Sequence, residues 1–179
     1  EQLAAHRGSV LGNLPDEPQP AQKMFESTVW HQLRHCDPAR PVFVEGESKK
    51  IGMLRVPDAI IHRMWESGIC VRLQVDASQR VKLLKDEYRH FVEDPAALME
   101  KVECLKGLHS QEQLDAWRQL AESGRWDEFV LDMLERHYDP TYTRSMLKHY
   151  PQLEQGPLLH PSDITDAAWD KLARELVPQ

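Results

Sequence analysis

The sequence predicts an α/β fold, with a parallel-sheet layer over residues 1–94 and a helical extension over residues 95–179. Three observations predict it. Residues 41–45 (PVFVE) and 69–75 (ICVRLQV) are short and apolar on both faces, the pattern of strands buried in a parallel sheet. Between them a helical stripe (Ile60, Ile61, Met64, Trp65) begins near Pro57 and ends at Gly68, making a β-α-β unit. Past Pro95 every apolar pattern has the helical period. A parallel pair needs cover on both faces, and a stable sheet has about four to six strands. Two strands are too few, so the reading expects the missing central ones upstream of Glu1.

The remaining elements follow in order. Residues 6–20 hold Gly8, Gly12, Pro15, Pro18 and Pro20 and read as an ordered loop rather than a regular element. A helix is predicted over 21–36 from Phe25, Val29 and Leu33, flanked by Met24 and Trp30 and stopped by Asp37-Pro38. Residues 48–52 serve as the exit loop of the first strand. Asp76 and Ser78 can cap a helix carrying Val81, Leu84, Tyr88 and Phe91. Helices over 95–108, 110–123 and 126–138 are divided by Gly107 and Gly124, His137-Tyr138-Asp139-Pro140 ends the last of them, and 162–177 form a final helix.

Composition narrows the function classes. With 179 residues, 41% hydrophobic and 28% charged, the chain has the make-up of a globular domain. No apolar run exceeds four residues, which excludes a membrane-spanning helix from the sequence. The first residues lack the basic start and apolar middle of a signal peptide. Net charge is -7, and residues 1–56 carry seven charges of each sign, so the acidic excess lies downstream. A nonspecific nucleic-acid binder carries a basic excess, so any RNA contact here must be a local patch. Cys36, Cys70 and Cys104 are odd in number and form no CxxC pair, which points to a reducing, cytoplasmic compartment rather than a disulfide framework.

Several residues can carry chemistry. Glu45 and Glu47 fall at the carboxyl end of the first predicted strand, where α/β sheets bind ligands, and alternation puts both on one side. They are candidates for a general base or a magnesium-water ligand. Ser48 and Lys49, followed by Lys50, suit a phosphate. His6, Arg7, Gly8 and Ser9 join an imidazole, a guanidinium and a hydroxyl in one loop, fit for phosphate or nucleotide contacts. Gln19, Gln22 and Lys23 open a helix whose amino end attracts anions. His31 and His35 are four apart on a helix but lack the glutamate of a zinc-protease motif, so no metal is assigned there. No GxxxxGK[ST] or GxGxxG loop occurs.

Taken together, HRGSVLG (6–12), PQPAQKMFE (18–26), RPVFVEGESKKIG (40–52) and HYDPTY (137–142) resemble the carboxyl-terminal domain of the bacterial tRNA 2-selenouridine synthases, in order and spacing. The resemblance implies a partial P-loop NTPase-like sheet, with a Walker A loop and a rhodanese domain bearing the catalytic cysteine upstream. It implies an enzyme that replaces sulfur by selenium at C2 of the wobble uridine of tRNA through an S-geranyl intermediate. Selenophosphate and geranyl diphosphate would be its co-substrates, with magnesium as a candidate ion. The tRNA anticodon arm and the rhodanese domain would be partners, and the chain alone would be inactive. By motif, His6, Arg7, Gly8, Ser9, Gln19, Gln22, Lys23, Ser48 and Lys49 would line the phosphate and tRNA cleft. Glu45 and Glu47 would face the P-loop, and Arg80 would act as a lid arginine. Ala21 stands where the family usually has Ser, and Lys49 where it usually has Arg, which removes a bidentate donor. The alternatives are a kinase-like P-loop enzyme acting on a small phosphorylated substrate and a helical interaction module.

Overall fold

The computed structural model describes residues 1–46 and 48–176. They form two compact units, Glu1–Cys70 and Val71–Gln179, dividing ahead of the 94/95 boundary read from the sequence.

In the first unit a 3₁₀ turn at Gln2–Ala4 leads into the 6–13 loop, and helix α1 spans Gln22–Leu33. Strands β1 (Lys50–Ile51) and β2 (Leu54–Arg55) pair antiparallel, and helix α2 covers Asp58–Ser67. The α1 periodicity acts as expected at its centre: Phe25 is buried and packs with Ala4, Ile51 and Leu54, with Val29 and Val56 alongside. Leu33, Met24 and Trp30 remain exposed. Ile61, in the predicted stripe of α2, is fully buried.

The sheet differs from the sequence expectation. Residues 41–45 are in no ladder, and Val42, Phe43 and Val44 are about half exposed. A β-branched run fits a pleated, half-buried surface, but only a hydrogen-bonded neighbour makes it a strand. Residues 48–52, expected as an exit loop, instead supply β1 of the hairpin. A two-residue turn allows this because Gly52 adopts φ +58°, the left-handed conformation such turns require.

In the second unit β3 (Arg72–Leu73) is the short realised part of the 69–75 run. It pairs in parallel with β4 (Leu158–Leu159), not with residues 41–45. The expected β-α-β unit is therefore absent among the described residues, which form a mixed, mostly helical structure with one antiparallel and one parallel strand pair. Helices α3 (Ala77–Glu87), α4 (Arg89–Glu93), α5 (Pro95–Glu103), α6 (Gln111–Glu122) and α7 (Trp126–Met133) follow. Two starts are capped by side chains: the Ala97 N–H donates to Asp94 and the Gln113 N–H to Ser110. Trp117, Leu105, Leu114, Val102 and Phe129 are buried in this unit.

The predicted stop at 137–140 does not occur. The chain continues through a π-helical turn at Leu134–Tyr138 into α8 (Asp139–His149). Pro140 directly follows the π-helical turn, where the regular helical hydrogen-bond ladder is already interrupted. Helix α9 (Asp166–Leu176) closes the unit. No helix among the described residues is long and apolar enough to cross a membrane.

Candidate functional site

The predicted residues of the first unit converge on the β1–β2 hairpin. The 6–13 loop closes on itself: His6 bridges to Asn13, the Arg7 N–H donates to the Gly12 carbonyl (2.8 Å), and the Gly12 N–H donates to the Ser9 carbonyl (2.9 Å). The Gly8 N–H donates to Nδ1 of His6 (3.0 Å) and the Leu11 N–H to the Ser9 hydroxyl oxygen (3.2 Å). Its polar groups thus hold the loop's shape and leave Arg7 half-buried at its surface. His6 is buried, its ring fenced by two glycines. A Cβ on Gly12 would stand 2.9 Å from His6 Cε1, and one on Gly52 2.8 Å from His6 Cδ2.

Gln19 and Gln22, predicted as anion donors, have their amides on backbone. Gln19 Nε2 donates to the carbonyls of Ala4 (3.1 Å) and Ile51 (3.0 Å), and its Oε1 accepts from the Met53 N–H (2.7 Å). One side chain thereby joins the 3₁₀ turn to both sides of the hairpin turn. Gln22 pairs twice with Arg55, donating from Nε2 to its carbonyl (2.8 Å) and accepting from its N–H (2.9 Å), as a neighbouring strand would. Its Nε2 also reaches Glu26 (2.8 Å). Lys23, one position along, is exposed.

The charged candidates ring this frame. Lys49 Nζ lies 2.5 Å from Asp58 Oδ1, and the Lys49 carbonyl accepts from the Val56 N–H (2.8 Å), extending the hairpin by one pair. The hydrogen bond and charge of Lys49 hold the Asp58 carboxyl below its ordinary value. Both side chains are more than a third exposed, so the pair exchanges readily for another anion. The Ser48 hydroxyl donates to the Lys50 carbonyl (2.5 Å). The Glu45 carboxylate is exposed to solvent. One such carboxylate with substrate phosphates and water is a donor set magnesium accepts. Glu47 lies outside the described residues. Lys49 and Lys50 thus lie at the start of the hairpin, and Arg7 lies in the loop whose His6 meets the hairpin turn at Gly52.

Arg80 belongs to the second unit. On α3 it forms a two-pronged ion pair with Asp139 at the start of α8, Nη1 to Oδ2 at 2.9 Å and Nη2 to Oδ1 at 2.6 Å. The hydrogen bonds it donates to Asp139 raise its pKa beyond the usual guanidinium value. The HYDPTY segment is thus tied in at two points. Asp139 holds Arg80, and buried His137 sits with Nδ1 3.0 Å from Nε2 of His109. Burial, then the His109 charge, pushes His137 below its ordinary value.

Sequence reasoning missed His109 and Asp132. Asp132 accepts from Trp117 Nε1 (2.8 Å), Gln113 Nε2 (2.8 Å) and Arg136 Nε (2.6 Å). Burial pushes its pKa upward, but these bonds outweigh it and leave the carboxyl below its ordinary value. The i,i+4 spacing of Asp132 and Arg136 was the available signal. Among the described residues no group of three or more His, Cys, Asp or Glu is placed to hold a metal. The His31 and His35 rings lie 4.6 Å apart, with His35 Nδ1 against the His31 carbonyl (2.6 Å).

A mixed α/β domain built around this hairpin is the class of protein that the geometry defines. The model of the tRNA 2-selenouridine synthase AAA domain family matches residues 1–120, two-thirds of the chain, and the chain belongs to that family. A tRNA 2-selenouridine synthase of Nitrosomonas europaea is 38% identical over 72 residues, covering 38% of this chain and 18% of the relative. One of Marinobacter nauticus is 33% identical over 91 residues, covering 49% of this chain and 24% of the relative. The matched segments are thus a quarter or less of either relative's length. No solved structure matches the chain significantly.

Proposed function

We propose that this chain is part of an enzyme that modifies the wobble uridine of tRNA, a tRNA 2-selenouridine synthase. The family match across residues 1–120 carries the reading, because it spans the whole hairpin module. In this reading the enzyme replaces sulfur by selenium at C2 of 2-thiouridine through an S-geranyl intermediate, with selenophosphate and geranyl diphosphate as co-substrates. The chain binds the diphosphate donor and the anticodon arm, while an upstream P-loop and a rhodanese domain complete the sheet and the chemistry. Arg7 and Lys49, with Ser9, Ser48 and Lys23, contact phosphates. Lys49 leaves Asp58 to do so, an exchange that exposure makes easy. Gln19 and Gln22 act by positioning, because their amides hold the frame carrying those cations. Glu45 and Glu47 would hold a magnesium ion, which neutralises diphosphate charge when bound.

The test is binding of the chain, alone and extended upstream through the expected P-loop, to an anticodon stem-loop carrying 2-thiouridine across a salt series. Saturable binding by the extended protein, weakened in Arg7→Ala or Lys49→Ala, is the expected result. Absence of binding by either protein would favour a kinase-like enzyme of a small phosphorylated substrate.

A further inference from the structure

Helix α1 has a second face that, beyond Lys23, the hairpin site does not use. Phe25 turns into the core and Gln22 onto the hairpin, while Lys23, Ser27, Trp30 and Arg34 recur at i, i+4, i+7 and i+11 and are all exposed. Trp30 is 62% exposed, an unusual state for a large aromatic ring. The Arg34 guanidinium lies over it, 4.8 Å from the ring centroid. The backbone fixes this pair, because the Arg34 N–H donates to the Trp30 carbonyl (3.0 Å) in the last turn. His31 and His35 stand beside it, exposed. The one acidic side chain of the helix, Glu26, is engaged by Gln22, and Asp37 beyond it accepts from the Ala39 N–H. A largely exposed indole under a guanidinium, on a helix face that carries Lys23 and Arg34 against the single carboxylate Glu26, has the chemistry that stacks an unpaired base and neutralises its phosphates.

We propose that Trp30 and Arg34 form a base-stacking platform for a single-stranded RNA segment, with Lys23 contacting the same strand's phosphates. The proposal rests on the reading of tRNA as substrate and adds a contact remote in chemistry from the diphosphate site: it recognises an unpaired nucleotide and needs no donor. An acidic chain overall can do this because the patch is local.

The experiment measures binding of the full-length protein carrying this chain to a labelled anticodon stem-loop, with Trp30→Ala, Trp30→Leu, Trp30→Phe, Arg34→Ala and Lys23→Ala variants, across a salt series. Circular dichroism confirms that each variant keeps its fold. Stacking predicts that Trp30→Ala and Trp30→Leu weaken binding roughly fivefold or more while Trp30→Phe stays near the parent. Arg34→Ala should weaken binding by removing half of the platform, and Lys23→Ala should flatten the logarithmic salt slope by about 0.7, the share of one phosphate contact on a single strand. Parental binding by Trp30→Ala overturns the platform. Parental binding by Trp30→Leu does so too, since it marks an apolar protein-docking surface. Either result leaves the tRNA reading standing when Arg7→Ala still weakens binding. A parent that binds no RNA overturns both.

Discussion

Replacing Gly52 by alanine should loosen the hairpin from its helix through a single added carbon. The new Cβ would stand 2.2 Å from Gln19 Oε1, and Gln19 can escape only by giving up its bonds to Ala4, Ile51 and Met53. A left-handed residue with a Cβ costs about 1–2 kcal/mol, and alanine returns about 0.4–1 kcal/mol by restricting the unfolded chain. Three hydrogen bonds at about 0.5–1.5 kcal/mol each dominate the rest. The expected loss is therefore about 2–5 kcal/mol, with most of it passing through Gln19. A double-mutant cycle isolates that share. In a Gln19→Ala background the bonds are already gone and the clash with Gln19 disappears, leaving the left-handed backbone and the 2.8 Å approach to His6 Cδ2, so Gly52→Ala should cost clearly less, about 1–2 kcal/mol, there. Hydrogen exchange at the Val56 and Phe25 amides, followed through a urea titration, reads the opening of hairpin and helix separately. An equal cost of Gly52→Ala in both backgrounds would refute the reasoning.

Further outcomes follow from the second unit. Arg80→Ala should lower its stability by about 0.5–1 kcal/mol in thermal melts, since solvent screens the half-exposed pair, and Arg80→Lys should recover little, because an ammonium cannot match both Asp139 oxygens. His137 has a folded pKa below its ordinary 6.5, so the unfolded chain binds its proton first. Stability is thus fully present above pH 6.5 and declines as pH falls from there through the lowered folded value. Melts at stepped pH should show this decline, and His137→Gln should flatten it. Trp117→Phe removes a buried N–H partner of Asp132 and leaves a gap in a fully buried site. A loss of about 2–3 kcal/mol in chemical denaturation is expected.

The helices could be read from the sequence because their evidence is local. Phe25 and Val29, Leu114 and Trp117, and Phe129 and Met133 repeat on one side of a 3.6-residue turn, and the structure buries that side wholly or in part. Strands were harder. The 41–45 run has strand composition, but no described segment pairs with it, whereas the hairpin at 50–55 overlaps residues 48–52, whose serine, two lysines and glycine read as a loop. Strand pairing is a property of two segments, and neither alone announces its partner. The candidate residues were found by type, and their duties were not. Gln19 and Gln22 look like surface amides until the backbone atoms they meet are known. Arg80 looks like a loose cation until Asp139, 59 positions away, is brought to it.

By itself the sequence determined most of the helices and placed the cationic and carboxylate candidates, all but Arg80 before residue 52, and three of the four motifs that carried the family resemblance lie within the match over residues 1–120. Only the tertiary structure decided which polar side chains hold the frame and which face outward. That division depends on contacts between residues tens of positions apart, such as Gln19 with Ile51 and His109 with His137. Periodicity cannot encode them, because a hydrogen bond depends on where two atoms meet in space and not on how far apart they lie in the chain.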